Sequence, residues 1–182
     1  MHIYFRALAF AAFACGGMAQ QFGAMENLAP DIPTPQTVVD KMLEAGRVKP
    51  GDVVYDLGSG DGRILIAAAR DFGARAVGVE ILPDLCDRAR KRVKALGLDD
   101  KVRVVQGSVL RVDLSPADVV TMCLLTVSNE RMKPILERSL KPGARVVSNE
   151  FPIKGWKVAD AVHVREGSMD HTIYVYTMGK TK

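Results

Sequence analysis

Cysteine is scarce in this 182-residue chain, and its three copies, Cys15, Cys86 and Cys123, form no metal-ligand spacing and no disulfide framework. No metal site is read from them. No apolar run reaches the roughly 20 residues that a helix needs to cross a bilayer, which excludes a polytopic membrane protein. A basic stripe interleaved with aromatics is missing too, so no nucleic-acid partner is expected. The net charge of +4 comes from Lys and Arg interspersed with Asp and Glu, and the densest basic run, Arg88 to Lys94, falls on a predicted helix as a solvated face. What is present, 48% hydrophobic and 25% charged residues, suits one soluble globular domain and is too short for two.

Residues 1–19 read as a secretory leader. Arg6 supplies a minimal basic region, Ala7 to Ala14 an apolar run, and Gly17-Met18-Ala19 the small-x-small pattern of a signal-peptidase site, with cleavage after Ala19. Residues 20–32 lack apolar periodicity and read as a linker, leaving 33–182 as the folded domain. The leader implies an exported or cell-envelope protein, periplasmic in a bacterium. The alternative is a cytoplasmic protein whose apolar N-terminal helix lies on a membrane surface, a peripheral association, or packs on the domain. Oligomeric state is not legible.

Along the domain, Thr34-Pro35 looks like an N-cap and first helical position, opening a helix with Val38, Val39, Met42 and Leu43 on one face and an end near Gly46. Val53 to Leu57 is a buried strand ending at glycines. A helix from about Gly62 to Phe72, a strand Ala76 to Glu80, a helix Pro83 to Leu96 and a strand Val102 to Gln106 follow. Then come a strand Asp118 to Leu125, a helix from about Asn129 to Leu140 and a strand Ala144 to Glu150. Two final β-rich segments, Lys157 to Val164 and Thr172 to Thr177, have no helix between them and should form an antiparallel edge hairpin around Gly167. The alternation predicts a Rossmann-like, doubly wound α/β fold with a mostly parallel sheet of seven strands and a C-terminal antiparallel hairpin.

Asp56-Leu57-Gly58-Ser59-Gly60-Asp61-Gly62 lies between the first strand and the next helix, where an open α/β sheet binds nucleotide-like ligands. Glycine there permits positive φ and close approach of a ligand to the backbone. A dinucleotide fingerprint places its third glycine one residue later and receives a pyrophosphate. Here Asp56 and Asp61 flank the loop and would repel that group, whereas a ligand bearing an ammonium and a sulfonium is favoured by both. Glu80, about 20 residues on at the end of the second strand, is placed to accept hydrogen bonds from two ribose hydroxyls.

At these residues the sequence resembles the class I, seven-stranded methyltransferases that use S-adenosylmethionine. Pro33-Thr34-Pro35, Val53 to Arg63, Gly78-Val79-Glu80 and Val147 to Phe151 with Trp156 resemble, within them, the archaeal and mitochondrial protein-lysine methyltransferases. The resemblance implies that Asp56, Gly58, Ser59, Gly60 and Asp61 surround the methionine moiety, that Glu80 holds the ribose, that Ser108 borders the adenine and that Thr34 closes over the cofactor. Ser108 stands where an acid is usual, and Cys123 and Thr126 where an aromatic residue and proline are usual.

Transfer to a lysine needs the neutral amine, whose solution pKa is about 10.4. Glu150 is the candidate to take that proton and Asn149 to orient the amine through its side-chain carbonyl. His163 and His171, in the expected hairpin, carry no assigned role. A protein substrate is expected, because short connections leave the acceptor side open. The alternatives are a methyltransferase for a small molecule or RNA, a non-catalytic cofactor-binding module, and a nicotinamide oxidoreductase.

Overall fold

The computed structural model describes Leu28 and residues 32–181, so the expected leader, its cleavage site and most of the linker lie outside the described residues. Among them the chain forms α1 (Gln36–Ala45), β1 (Val53–Leu57), α2 (Arg63–Arg70), β2 (Arg75–Glu80), α3 (Pro83–Ala95) and β3 (Val102–Gln106). A single 3-10 turn (Val109–Arg111), β4 (Val119–Met122), α4 (Thr126–Ser139), β5 (Arg145–Asn149), β6 (Asp160–Glu166) and β7 (Met169–Thr177) complete it. The sheet order is β3-β2-β1-β4-β5-β7-β6; β1 to β5 run parallel and β7 is antiparallel to both its neighbours. This is the doubly wound fold with its terminal hairpin, and the order reverses between β1 and β4.

Both faces of the central strands are covered, which is why β1 and β4 read as continuous apolar runs. Val54, Ala76, Val119 and Val147 point to the side packed by Val39 and Leu43 of α1 and Leu65 and Ala68 of α2. Leu57, Val79, Val120, Met122 and Val146 point the other way, toward Leu114 and toward Met132 and Leu136 of α4. Trp156 belongs to that second side: its ring meets Tyr176 edge-on at 5.5 Å and its indole N–H donates to Glu137 Oε1 at 2.8 Å. It anchors the hairpin on this side.

Four local expectations are corrected. Helix α1 starts at Gln36 with Pro35 at the N-cap and no side-chain cap, because the Thr34 hydroxyl donates to Cys123 Sγ (3.3 Å) instead. Strand β4 stops at Met122, and α4 begins at Thr126 rather than near Asn129, since an extended Leu125 already turns the chain. The hairpin strands continue through Val164↔His171, Arg165↔Asp170 and Glu166↔Met169, leaving only Gly167-Ser168 as the turn. That stretch reads as loop because its residues are charged, yet an edge ladder exposed to water accommodates charges, and Arg165 and Asp170 approach to 3.9 Å across it.

Candidate active site

Strand alternation gathers the site. Asp56 on β1 lies in register with Gly78 on β2 and Thr121 on β4, so all three, with Glu80 two residues further along β2, face the α1–α2 side at the carboxyl edge of the sheet. The loop after β1 is closed by its own backbone: Gly58 and Ser59 N–H both donate to Val79 O (2.9 and 3.1 Å), and Gly62 N–H donates to Ser59 O (2.9 Å). Gly58, Gly60 and Gly62 take φ of 82°, 52° and 79°, the left-handed region that glycine adopts without strain. Gly78 serves the same loop from behind. A Cβ there would sit 2.4 Å from Leu65 Cδ1 and 2.5 Å from Ser59 Oγ, so the loop can lie on β2 only over a bare backbone. Neither the glycine spacing nor the charge pattern reveals this role, because it arises from the third dimension.

Asp56, Gly58, Ser59, Gly60 and Glu80 line a cleft that is shared with Pro33 and Thr34 of the N-terminal segment, Leu82, Leu85 and Cys123. Glu80 is buried, and its carboxylate accepts from Gly60 N–H (2.9 Å), Ile81 N–H (2.8 Å) and Leu82 N–H (2.9 Å), which fixes both oxygens at the cleft floor. Asp56 is buried without a cationic partner. Burial pushes its pKa up to about 7, the hydrogen bond from Thr121 Oγ1 (2.7 Å) opposes this, and the charges of Glu80 and Asp61 add to it.

Asp61 differs from the charge reading of the sequence. Arg63 grips its carboxylate with two hydrogen bonds (3.0 and 2.9 Å), and Arg92 approaches to 2.5 Å. Burial pushes its pKa up, but these arginines outweigh burial and hold the carboxyl below the usual range. Asp61 therefore braces the loop, and its charge is already matched. Arg63 also donates to Thr34 O (2.7 Å), pinning the segment that overlies the cleft.

Ser108 is not among the residues that line the cleft. It follows β3, where Gly107 N–H donates to Glu80 O (2.8 Å), and its hydroxyl accepts from Leu110 N–H (3.3 Å) to cap the 3-10 turn. The acceptor candidates lie one strand further along the carboxyl edge. Asn149 ends β5, buried, with no partner for its Oδ1. Glu150 follows in the left-handed region with φ 67° and contacts His171 Nδ1 through Oε1. Cys123 stands between the two halves: burial, then the charge of Asp56, then that of Glu150 push its thiol up to about 12, against the hydrogen bond from Thr34. No local pattern signals the meeting of Glu150 and His171, which lie 21 residues apart and come together only through the pairing of β5 with β7.

The donor and acceptor set fits S-adenosylmethionine. Among the described residues, Asp56 is a buried carboxyl lacking a cation and Ser59 Oγ is buried without a partner in the same cleft, and the positive-φ glycines leave the backbone bare for close approach. A pyrophosphate would meet Asp56 and Glu80 instead of donors.

The ANTKMT methyltransferase domain family matches residues 56–160. A protein-lysine N-methyltransferase from Saccharolobus islandicus is 49% identical over 154 residues, 84% of this chain and 96% of that protein. The adenine nucleotide translocase lysine N-methyltransferase of Mus musculus is 34% identical over 119 residues, 65% of this chain and 52% of that one. Among solved structures, an RNA methyltransferase from Salinibacter ruber in complex with S-adenosyl-L-homocysteine superposes with a TM-score of 0.77 at 48% identity, covering 81% of this chain and 94% of that chain. With this site and these relatives, the chain belongs to the ANTKMT methyltransferase domain family and is an S-adenosylmethionine-dependent methyltransferase.

Proposed function

We propose that the enzyme methylates the side-chain amine of lysine on a protein. The carrying observation is the pair of acceptor groups at the end of β5: the buried Asn149 Oδ1, unpartnered among the described residues, and the part-exposed Glu150 carboxylate, whose charge acts on Cys123 of the cofactor cleft. A primary ammonium, with three donors and a positive charge, complements them. The two named lysine methyltransferases among its relatives support the same acceptor.

S-adenosylmethionine supplies an electrophilic methyl group on a sulfonium. The chain's residues do the rest. Asp56 would take the methionine ammonium, with Gly58, Ser59 and Gly60 leaving their backbone bare to it, and Glu80 would take the ribose hydroxyls, while Ser108, which caps the 3-10 turn outside the cleft lining, is left without a cofactor contact. Pro33 and Thr34, held by Arg63 and Cys123, exclude water from above. Asn149 orients the amine, and Glu150 holds the ammonium and receives its proton. Alignment of acceptor and methyl carries most of the acceleration, since oriented reactants reach effective molarities of ~10⁵ M or more.

RNA is the competing acceptor, favoured by the identity to the Salinibacter protein. Against it, two of the five basic residues in the densest run already have acidic partners: Arg90 pairs with Asp87 and Arg92 with Asp61. Incubating the enzyme with labelled cofactor and a cell-envelope extract decides between them. Label on lysine side chains supports the proposal, and label confined to RNA overturns it. The leader places the mature enzyme in the cell envelope in this reading, and N-terminal sequencing tests that: a first residue of Gln20 supports export, and an intact Met1 supports the cytoplasmic alternative.

A further inference from the structure

His171 lies two residues before Ile173, which pairs with Asn149 across β5 and β7. Its side chain therefore projects to the same face as Ile173 and Asn149, the face that carries the cofactor cleft. Glu150 N–H donates to Thr172 O at 2.8 Å, the last rung before the chain leaves β5. At that rung Glu150 adopts φ 67°, a conformation that a non-glycine residue holds only when its surroundings enforce it. The enforced turn delivers Oε1 to His171 Nδ1. Exposure decides which of the two groups reaches outward: the His171 side chain is 11% exposed and that of Glu150 is 36%. Both ring nitrogens of His171 are buried and neither forms a hydrogen bond among the described residues; Glu150 Oε1 is the polar atom drawn against Nδ1.

We infer that His171 is a positioning residue: the contact of its Nδ1 with Glu150 Oε1 becomes, on a small turn of the ring or carboxylate, an Nδ1–H hydrogen bond that aims the carboxylate at the acceptor amine. The inference rests on the assignment of Glu150 to the acceptor site. It assigns a division of labour in which the exposed carboxylate handles the proton and the buried imidazole fixes its rotamer. A flexible glutamate would otherwise lose side-chain freedom with each substrate bound.

The test is a double-mutant cycle on the full chain, using His171→Leu, His171→Asn, Glu150→Gln and the Glu150→Gln/His171→Leu pair. Turnover, acceptor KM, S-adenosylhomocysteine affinity and melting temperature are read for each. His171→Leu should lower kcat about tenfold, within the range of coupled neighbours, with cofactor affinity unchanged. His171→Asn, whose amide N–H stands near the position of Nδ1–H, should recover most of the loss. In the Glu150→Gln background, His171→Leu should change kcat no further. A full additional loss in that background, wild-type kcat in His171→Leu, or a loss matched by weakened cofactor binding would overturn the inference.

The ¹⁵N spectrum of the imidazole gives a readout that needs neither activity nor a leucine variant that folds. Nδ1 should carry a proton in the wild type, and its resonance should move in Glu150→Gln; an unmoved resonance refutes the pairing. Label found on an acceptor other than lysine would strike the proposed substrate while leaving this spectrum as it is, so the two failures are distinguishable.

Discussion

Asp56 carries its charge reluctantly in the cofactor-free protein, and two consequences can be measured. Its folded pKa of about 7 lies above the ordinary value of 3.8, so the folded state holds a proton that the unfolded chain releases first. Stability of the cofactor-free protein should therefore fall as pH rises from about 4 to 7 and level off above, by an amount on the order of a few kcal/mol. Asp56→Asn keeps an acceptor for Thr121 and removes the titration: its melting temperature should match the wild type below pH 4 and exceed it at pH 8. A cationic ligand favours the carboxylate, so cofactor binding at pH 6 should release a proton, read as a dependence of the calorimetric heat on buffer ionisation. At Glu80, replacement by Ala should weaken S-adenosylhomocysteine binding by about 1–3 kcal/mol, the range for leaving buried polar partners unpaired. It should also lower the melting temperature, since Gly60, Ile81 and Leu82 lose their acceptor. Glu150→Gln should bind cofactor normally and turn over roughly 10²-fold more slowly, the defect shrinking as pH approaches the solution pKa of lysine, about 10.4. Asp56 and Glu80 were legible because an acid at a strand end beside a glycine loop has a defined place in this fold. Asp61 was legible in position only, since its neutralisation depends on Arg92, 31 residues away.

At the scale of elements, the loop after β1 and the strand beneath it act as one unit. Gly78→Ala introduces a Cβ 2.4 Å from Leu65 Cδ1 and 2.5 Å from Ser59 Oγ, so either α2 or the loop must shift. The expected outcome is a loss of about 1–3 kcal/mol in stability, typical of overpacking, together with weakened cofactor binding; thermal melts and calorimetry check both. An alanine variant that keeps full affinity would show that α2 absorbs the strain and the loop does not. Periodicity identified every helix and strand in kind, because buried parallel strands and amphipathic helices leave clear patterns. The hairpin was harder. Its inner part, Val162 to Val164 with Thr172 and Ile173, packs on the core and reads as strand, while its outer part is solvated and obeys no apolar alternation.

Across the whole molecule, described residues of the N-terminal segment touch both sides of the sheet. Leu28 packs on the α4 side and its carbonyl accepts from Ser128 Oγ (2.7 Å), whereas Pro33 and Thr34 overlie the cleft on the α1–α2 side. Removing residues 1–19 should leave melting temperature and cofactor affinity unchanged. Removing residues through Thr34 should lower both, the melting temperature by about 2–4 °C for each kcal/mol of lost burial in a domain of this size. The docking of Leu28 has no signal in the sequence, because a single docked leucine has no period to detect. By itself, the sequence determined the doubly wound fold, the methyl-donor class and the strand-end acids that line the cleft, since strand alternation and glycine conformations are local properties. Only the tertiary structure decided that Asp61 is spent on two arginines, that Gly78 clears the loop and that His171 meets Glu150. Each of these depends on residues far apart in the chain that become neighbours through sheet register and helix packing, which no local pattern encodes.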